Sequence, residues 1–144
     1  MPVKPENLAR TNINSKIPKS IHREKMGTGY SAGTADQWYS GYPHDLWVEY
    51  KFLEKPPVRK FKLKLSTLQL DWLQRRYEEG RAVCVVLCFP AKTGCWLFTH
   101  RSWEGDIDPQ TCVTYTRQQI ADFITEGCTV DAAHSALIRR CKGG

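Results

Sequence analysis

The stretch Ser66 to Gly80 carries helix signals at both ends and is bounded by two apolar runs, Leu46 to Phe52 before it and Ala82 to Phe89 after it. Ser66-Thr67-Leu68-Gln69 is a capping box, in which Ser66 covers the amide three residues on and Gln69 reaches back. Gly80 ends the helix at the position where a left-handed residue is favoured. Leu68, Leu70, Trp72 and Leu73 form the expected inward stripe, with Asp71, Gln74, Arg75, Arg76, Glu78 and Glu79 outward. The second run is apolar on both sides, which marks a central strand, and a strand reached through a helix lies parallel to the strand before it. The turn-rich Ser40 to Asp45 sets Thr34 to Tyr39 antiparallel to Leu46 to Phe52. These elements predict an α/β fold, a central mixed β-sheet flanked by helices.

Side chains alternate across a strand, so Glu49 and Lys51 project to one face of Leu46 to Phe52 and Tyr50 to the other. Asp36 ends a glycine-rich segment at hairpin distance. Two carboxylates and an ammonium on neighbouring strands suit metal-assisted hydrolysis of a phosphodiester. Asp36 and Glu49 would hold Mg²⁺, which keeps several waters beside one or two carboxylates. Lys51 would position a water or stabilise the charge that develops on the phosphate.

Gly33-Thr34-Ala35-Asp36, Trp47-Val48-Glu49-Tyr50-Lys51, Leu65-Ser66-Thr67-Leu68-Gln69 and the strand after Gly80 follow one another in an order that resembles the PD-(D/E)xK nuclease superfamily. The nearest patterns are small phage-type and VRR-NUC-like nucleases, with homing endonucleases and Holliday-junction resolvases sharing the core. The likeness runs from Ile21 to Phe89, and Ala35 stands where a proline commonly precedes the aspartate. It implies a restriction-endonuclease-like core and a Mg²⁺-dependent endodeoxyribonuclease in which Mn²⁺ substitutes. It also implies a homodimer acting on duplex DNA in the homing manner, or on branched DNA in the manner of a junction or flap resolvase. Asp36, Glu49 and Lys51 are the implied catalytic set. Gln69 is placed near the metal by the resemblance, while its capping role accounts for it equally well. Glu24 is the acid just upstream that could stand for the helix-borne acid of many relatives. A nuclease-fold protein that binds DNA without cutting it is the alternative of another class.

A net charge of +6 and a pI of 9.1 favour a polyanionic partner. Beyond Pro56 and Pro57, basic and apolar residues partly alternate, so Lys60, Lys62 and Lys64 share a face. With Lys55 and Arg59 they form a candidate strip for phosphate contacts that position DNA without reading it. The other reading is a solvated edge guarded by lysine.

Residues 1–20 mix Pro2, Pro5 and Pro18 with Asn, Lys and Arg, and read as a basic arm ahead of a single domain spanning 21–144. Ile21 to Met26 reads as a helical turn and Cys95 to Thr99 as a strand. Two C-terminal helices are expected, from Thr116 to Glu126 with Gly127 as terminator and from Val130 to Cys141. His100 reads as an ordinary surface residue. Six cysteines without a Cys-x-x-Cys pair argue against structural zinc and for reduced thiols. No run is long enough to span a bilayer and no signal-peptide core is present, so a cytoplasmic protein without a small-molecule cofactor is expected. RNA-binding motifs and nucleophilic triads are also missing from the pattern.

Overall fold

In a computed structural model, residues 4–26, 33–130 and 134–143 are described. Six strands form one sheet in chain order: β1 (His22–Lys25), β2 (Gln37–Ser40), β3 (Asp45–Phe52), β4 (Val83–Cys88), β5 (Cys95–Phe98) and β6 (Thr114–Tyr115). Only β3 and β4 run parallel, joined by α2 (Thr67–Glu78); every other neighbouring pair is antiparallel. A helical crossover permits the parallel pairing, and short turns at β2–β3 and β4–β5 enforce antiparallel ones. All six residues of β4 are buried, as a central strand covered on both faces requires.

One face of the sheet carries Leu46, Val48, Tyr50, Cys84, Val86 and Cys88 under α1 (Pro5–Asn14), α3 (Arg117–Thr129) and α4 (Ala136–Cys141). The opposite face carries Trp47, Val83, Val85 and Leu87 under α2. Trp72 fastens α2 there, edge-on to Trp47 at 5.3 Å, and Leu73 is buried beneath the helix. Both halves of the capping box form, the Gln69 amide donating to Ser66 Oγ and the Ser66 amide donating to Gln69 Oε1. Gly80 follows the helix at φ 83°, a conformation that glycine adopts without steric cost.

Several expectations from the sequence are corrected. Residues 5–14 are a helix and not an irregular arm, with Ala9 and Ile13 buried and Ile17 and Ile21 continuing the same apolar seam. Ile21 to Met26 yields strand β1, paired antiparallel with β2, rather than a helical turn. Leu68 is 57% exposed because it is the second residue of α2, beyond the edge of the stripe. Gly127 does not stop α3, which continues to Thr129; it is buried, and a Cβ there would press on Leu137 of α4. The last helix is shorter than expected and starts at Ala136, while Ala132 and Ala133 lie outside the described residues. All six cysteines are free thiols, five of them buried. Among the described residues, no helix is long and apolar enough to cross a membrane.

Candidate active site

Continuing the β2–β3 register by one pair beyond Gln37 and Val48 sets Asp36 opposite Glu49. Asp36 stands just ahead of β2 rather than inside it. Its Oδ2 accepts the Tyr50 amide at 3.0 Å, and its own amide donates to Glu49 Oε1 at 3.2 Å. The two acids are therefore held by backbone as well as by side chain. On the other side of Glu49, Gln69 Nε2 donates to Oε2 at 3.0 Å and Lys51 Nζ lies 3.5 Å from that oxygen. Lys51 also donates to Gln69 Oε1 at 3.3 Å. Asp36, Glu49, Lys51 and Gln69 thus converge in one hydrogen-bonded cluster, and the two readings of Gln69 are compatible. Its Oε1 serves the helix cap while its Nε2 serves the acid.

The cluster is electrostatically loaded. Glu49 is 2% exposed. Burial first, and the Asp36 charge second, push its carboxyl up to about 8 despite the Lys51 ammonium. Asp36 is also raised, chiefly by burial, with the Tyr50 amide and Lys51 pulling the other way. A pair of hard oxygen donors crowded with more negative charge than one ammonium offsets is a fitting seat for a divalent cation such as Mg²⁺. Among the described residues, no group of three or more His, Cys, Asp or Glu side chains gathers as a complete protein cage, so water or substrate oxygens would complete the shell.

A residue that the sequence reading overlooked stands near this cluster. Glu6, in the first turn of α1, lines the same recess as Lys51 and adds a repulsive charge to Asp36. Buried Arg10, one turn further on, partly offsets it. The signal was Ala9 and Ile13 four residues apart, behind a proline at the start of a helix. Glu24, expected to stand for a helix-borne acid, sits instead on β1 opposite Trp38, and its carboxylate lies 3.2 Å from His22.

The basic strip divides in two. Lys62 and Lys64 line the recess with Lys51, while Lys55, Arg59 and Lys60 are exposed on the irregular segment leading to it. Burial alternates along Phe61, Lys62, Leu63, Lys64 and Leu65, with the apolar members inward and the lysines outward. The segment is anchored by reciprocal backbone bonds between Phe61 and Ile107, at 3.0 and 2.7 Å. His100, exposed at the opposite end of β5, meets the Tyr77 hydroxyl at 2.5 Å and takes no part in the cluster.

No protein-family model matches this chain, and no curated protein sequence matches it. Among solved structures it is similar to Hjc, a Holliday junction resolvase of the archaeal hyperthermophile Archaeoglobus fulgidus. The identity is 14%, the TM-score is 0.52, and the match covers 82% of this chain and 98% of that one. The mixed six-stranded sheet flanked by helices is accordingly a restriction-endonuclease-type α/β fold.

Proposed function

We propose that this chain is a divalent-metal-dependent endodeoxyribonuclease that acts on branched DNA as a homodimer. The convergence of Asp36, Glu49, Lys51 and Gln69 on one end of the β2–β3–β4 sheet carries this reading. Asp36 and Glu49 would hold Mg²⁺, or Mn²⁺ in its place. When bound, such an ion lowers the pKa of a coordinated water and offsets phosphate charge.

The remaining work falls to the chain's own groups. Lys51 presents its ammonium beside Glu49, where it can orient the attacking water and stabilise charge gathering on the phosphate oxygens. Gln69 keeps the Glu49 carboxylate and the Lys51 amine in a fixed mutual geometry. Glu6 adds a third carboxylate at the rim. Lys55, Arg59, Lys60, Lys62 and Lys64 supply phosphate contacts that set the register of the DNA. The overall charge of +6 supports a nucleic-acid partner. The similarity to a Holliday junction resolvase favours branched over linear substrates, and two copies would address two strands.

A cleavage panel of linear, nicked, flapped and four-way-junction DNA with Mg²⁺, run for the wild type and Glu49→Gln, tests the proposal. Cutting of branched DNA by the wild type alone is the expected result. Equal cutting by both proteins would remove Glu49 from the chemistry, and binding of junctions without any cutting would replace the nuclease with a binding protein on the same fold.

A further inference from the structure

The recess next to Lys51 has a second character that phosphate chemistry leaves unused. Leu53, Phe61, Leu63 and Leu87 give it an apolar lining, while Lys51, Lys62 and Lys64 line it against one acid, Glu6. We propose that this recess receives a single nucleobase turned out of its stack beside the scissile phosphate. The substrate class is then DNA that carries an unpaired nucleotide at the cut. The inference deepens the nuclease reading above and rests on it.

A nucleotide has an aromatic face and an anionic flank, and the recess divides along the same line, with apolar depth under a cationic rim. Its volume of about 320 Å³ falls at the small end of the usual range for ligand cavities. Lys51 belongs to both the recess and the acid cluster, because its amine contacts Glu49 and Gln69. One nucleotide therefore spans from the recess to the candidate metal seat. A stacked duplex offers only backbone and groove edges there, whereas an extruded base fills apolar depth.

The walls are built before any ligand arrives. The Phe61–Ile107 backbone pair pins one side, and the Leu53 amide donates to the Cys88 carbonyl at 3.0 Å on the other. The Phe61 ring is backed by Trp96 at 6.0 Å. Extrusion costs a few kcal/mol from intact duplex and least from an unpaired site. A rigid recess would thus select substrates by that cost.

The test uses the full chain and a flapped duplex with 2-aminopurine, and separately an abasic analogue, at the branch-point nucleotide. Binding is measured in chelator, so that it is independent of cleavage. The recess predicts a change in 2-aminopurine emission on binding and an affinity about 10- to 100-fold weaker for the abasic DNA. In Phe61→Leu and Leu63→Gln, both verified as folded by thermal melting, the abasic penalty shrinks toward unity. Equal affinity for intact and abasic DNA, or a penalty unchanged in both variants, overturns the proposal. So does a wild-type dimer that Leu63→Gln dissociates, since a second copy would then occupy the recess. Base-dependent binding without cutting in Mg²⁺ supports the recess and removes the nuclease, while cutting that ignores the base removes the recess alone.

Discussion

Gln69 Nε2 donates to Glu49 Oε2 at 3.0 Å, and the same side chain's Oε1 accepts the amide of Ser66 at 2.9 Å. The cap of α2 and the acid cluster are consequently one network. Ser66→Ala removes only the cap and should cost about 1 kcal/mol. Gln69→Ala removes the reciprocal bond and also strips Glu49 and Lys51 of a partner, so its cost should exceed that of Ser66→Ala by about 1–3 kcal/mol. Urea titrations of both variants measure the gap, and equal costs would confine Gln69 to the cap.

Glu49→Gln and Lys51→Ala should each lower cleavage of branched DNA by at least about 10²-fold at saturating substrate, with binding within a few-fold of wild type. Glu6→Gln acts at the rim and should cost less, about tenfold. Single-turnover rates beside gel-shift affinities separate the two quantities. Lost binding with unchanged turnover would move these residues out of the chemistry.

Without metal, the Glu49 carboxyl titrates near 8 in the folded chain against an ordinary value of 4.5. Between these values the folded state holds a proton that the unfolded chain has released. Stability from this group is therefore complete below about pH 4.5 and is lost as pH rises through about 8, on the order of a few kcal/mol. A divalent cation binds the ionised form and displaces that proton. The melting temperature should rise with Mg²⁺ more at about pH 8.5 than at about pH 6. An Mg²⁺ effect that is larger in acid would reverse this linkage.

Lys62→Ala and Lys64→Ala should each reduce the slope of log affinity against log salt by about one, because each ammonium releases a counterion on binding phosphate. Lys142→Ala, bridged to Ala82 at the opposite end of β4, serves as the comparison and should leave the slope unchanged. Equal slopes for all three variants would leave the strip as a solvated edge.

Gly33→Ala should be severely destabilising. The residue holds φ 83°, and an added Cβ would overlap the Leu68 carbonyl in the first turn of α2. This is backbone, which cannot swing aside, so a loss of about 2 kcal/mol or more is expected. Thermal melting decides it, and a neutral substitution would mean that the segment before Asp36 is not seated on α2.

What could be read without coordinates follows from period and chemistry. The β3–α2–β4 crossover was legible because capping residues and a doubly apolar strand leave little alternative, and Glu49 and Lys51 were placed by alternation alone. The N-terminal helix was hidden by its composition. Its N-terminal cap makes no side-chain bond, and its buried seam is only Ala9, Arg10 and Ile13 among polar neighbours. Glu6 was lost with it. Strand β1 was disguised by four polar residues, His22 to Lys25, which suit an edge with one face to solvent. Leu68 misled because helical phase, and not hydrophobicity, decides which leucine turns inward. Strand β6, two residues long, sits below the length at which alternation carries a signal.

Behind the acid cluster, Asn14 Oδ1, the Tyr39 hydroxyl and the Tyr50 hydroxyl form a relay with steps of 2.6 Å. It ties the last residue of α1 to the residue between Glu49 and Lys51. The helix is thereby keyed like a toothed rack, since sliding it one position along its axis would take Asn14 away from the Tyr39 phenol. Eight places back along that rack, Glu6 is carried to the recess by the same helix.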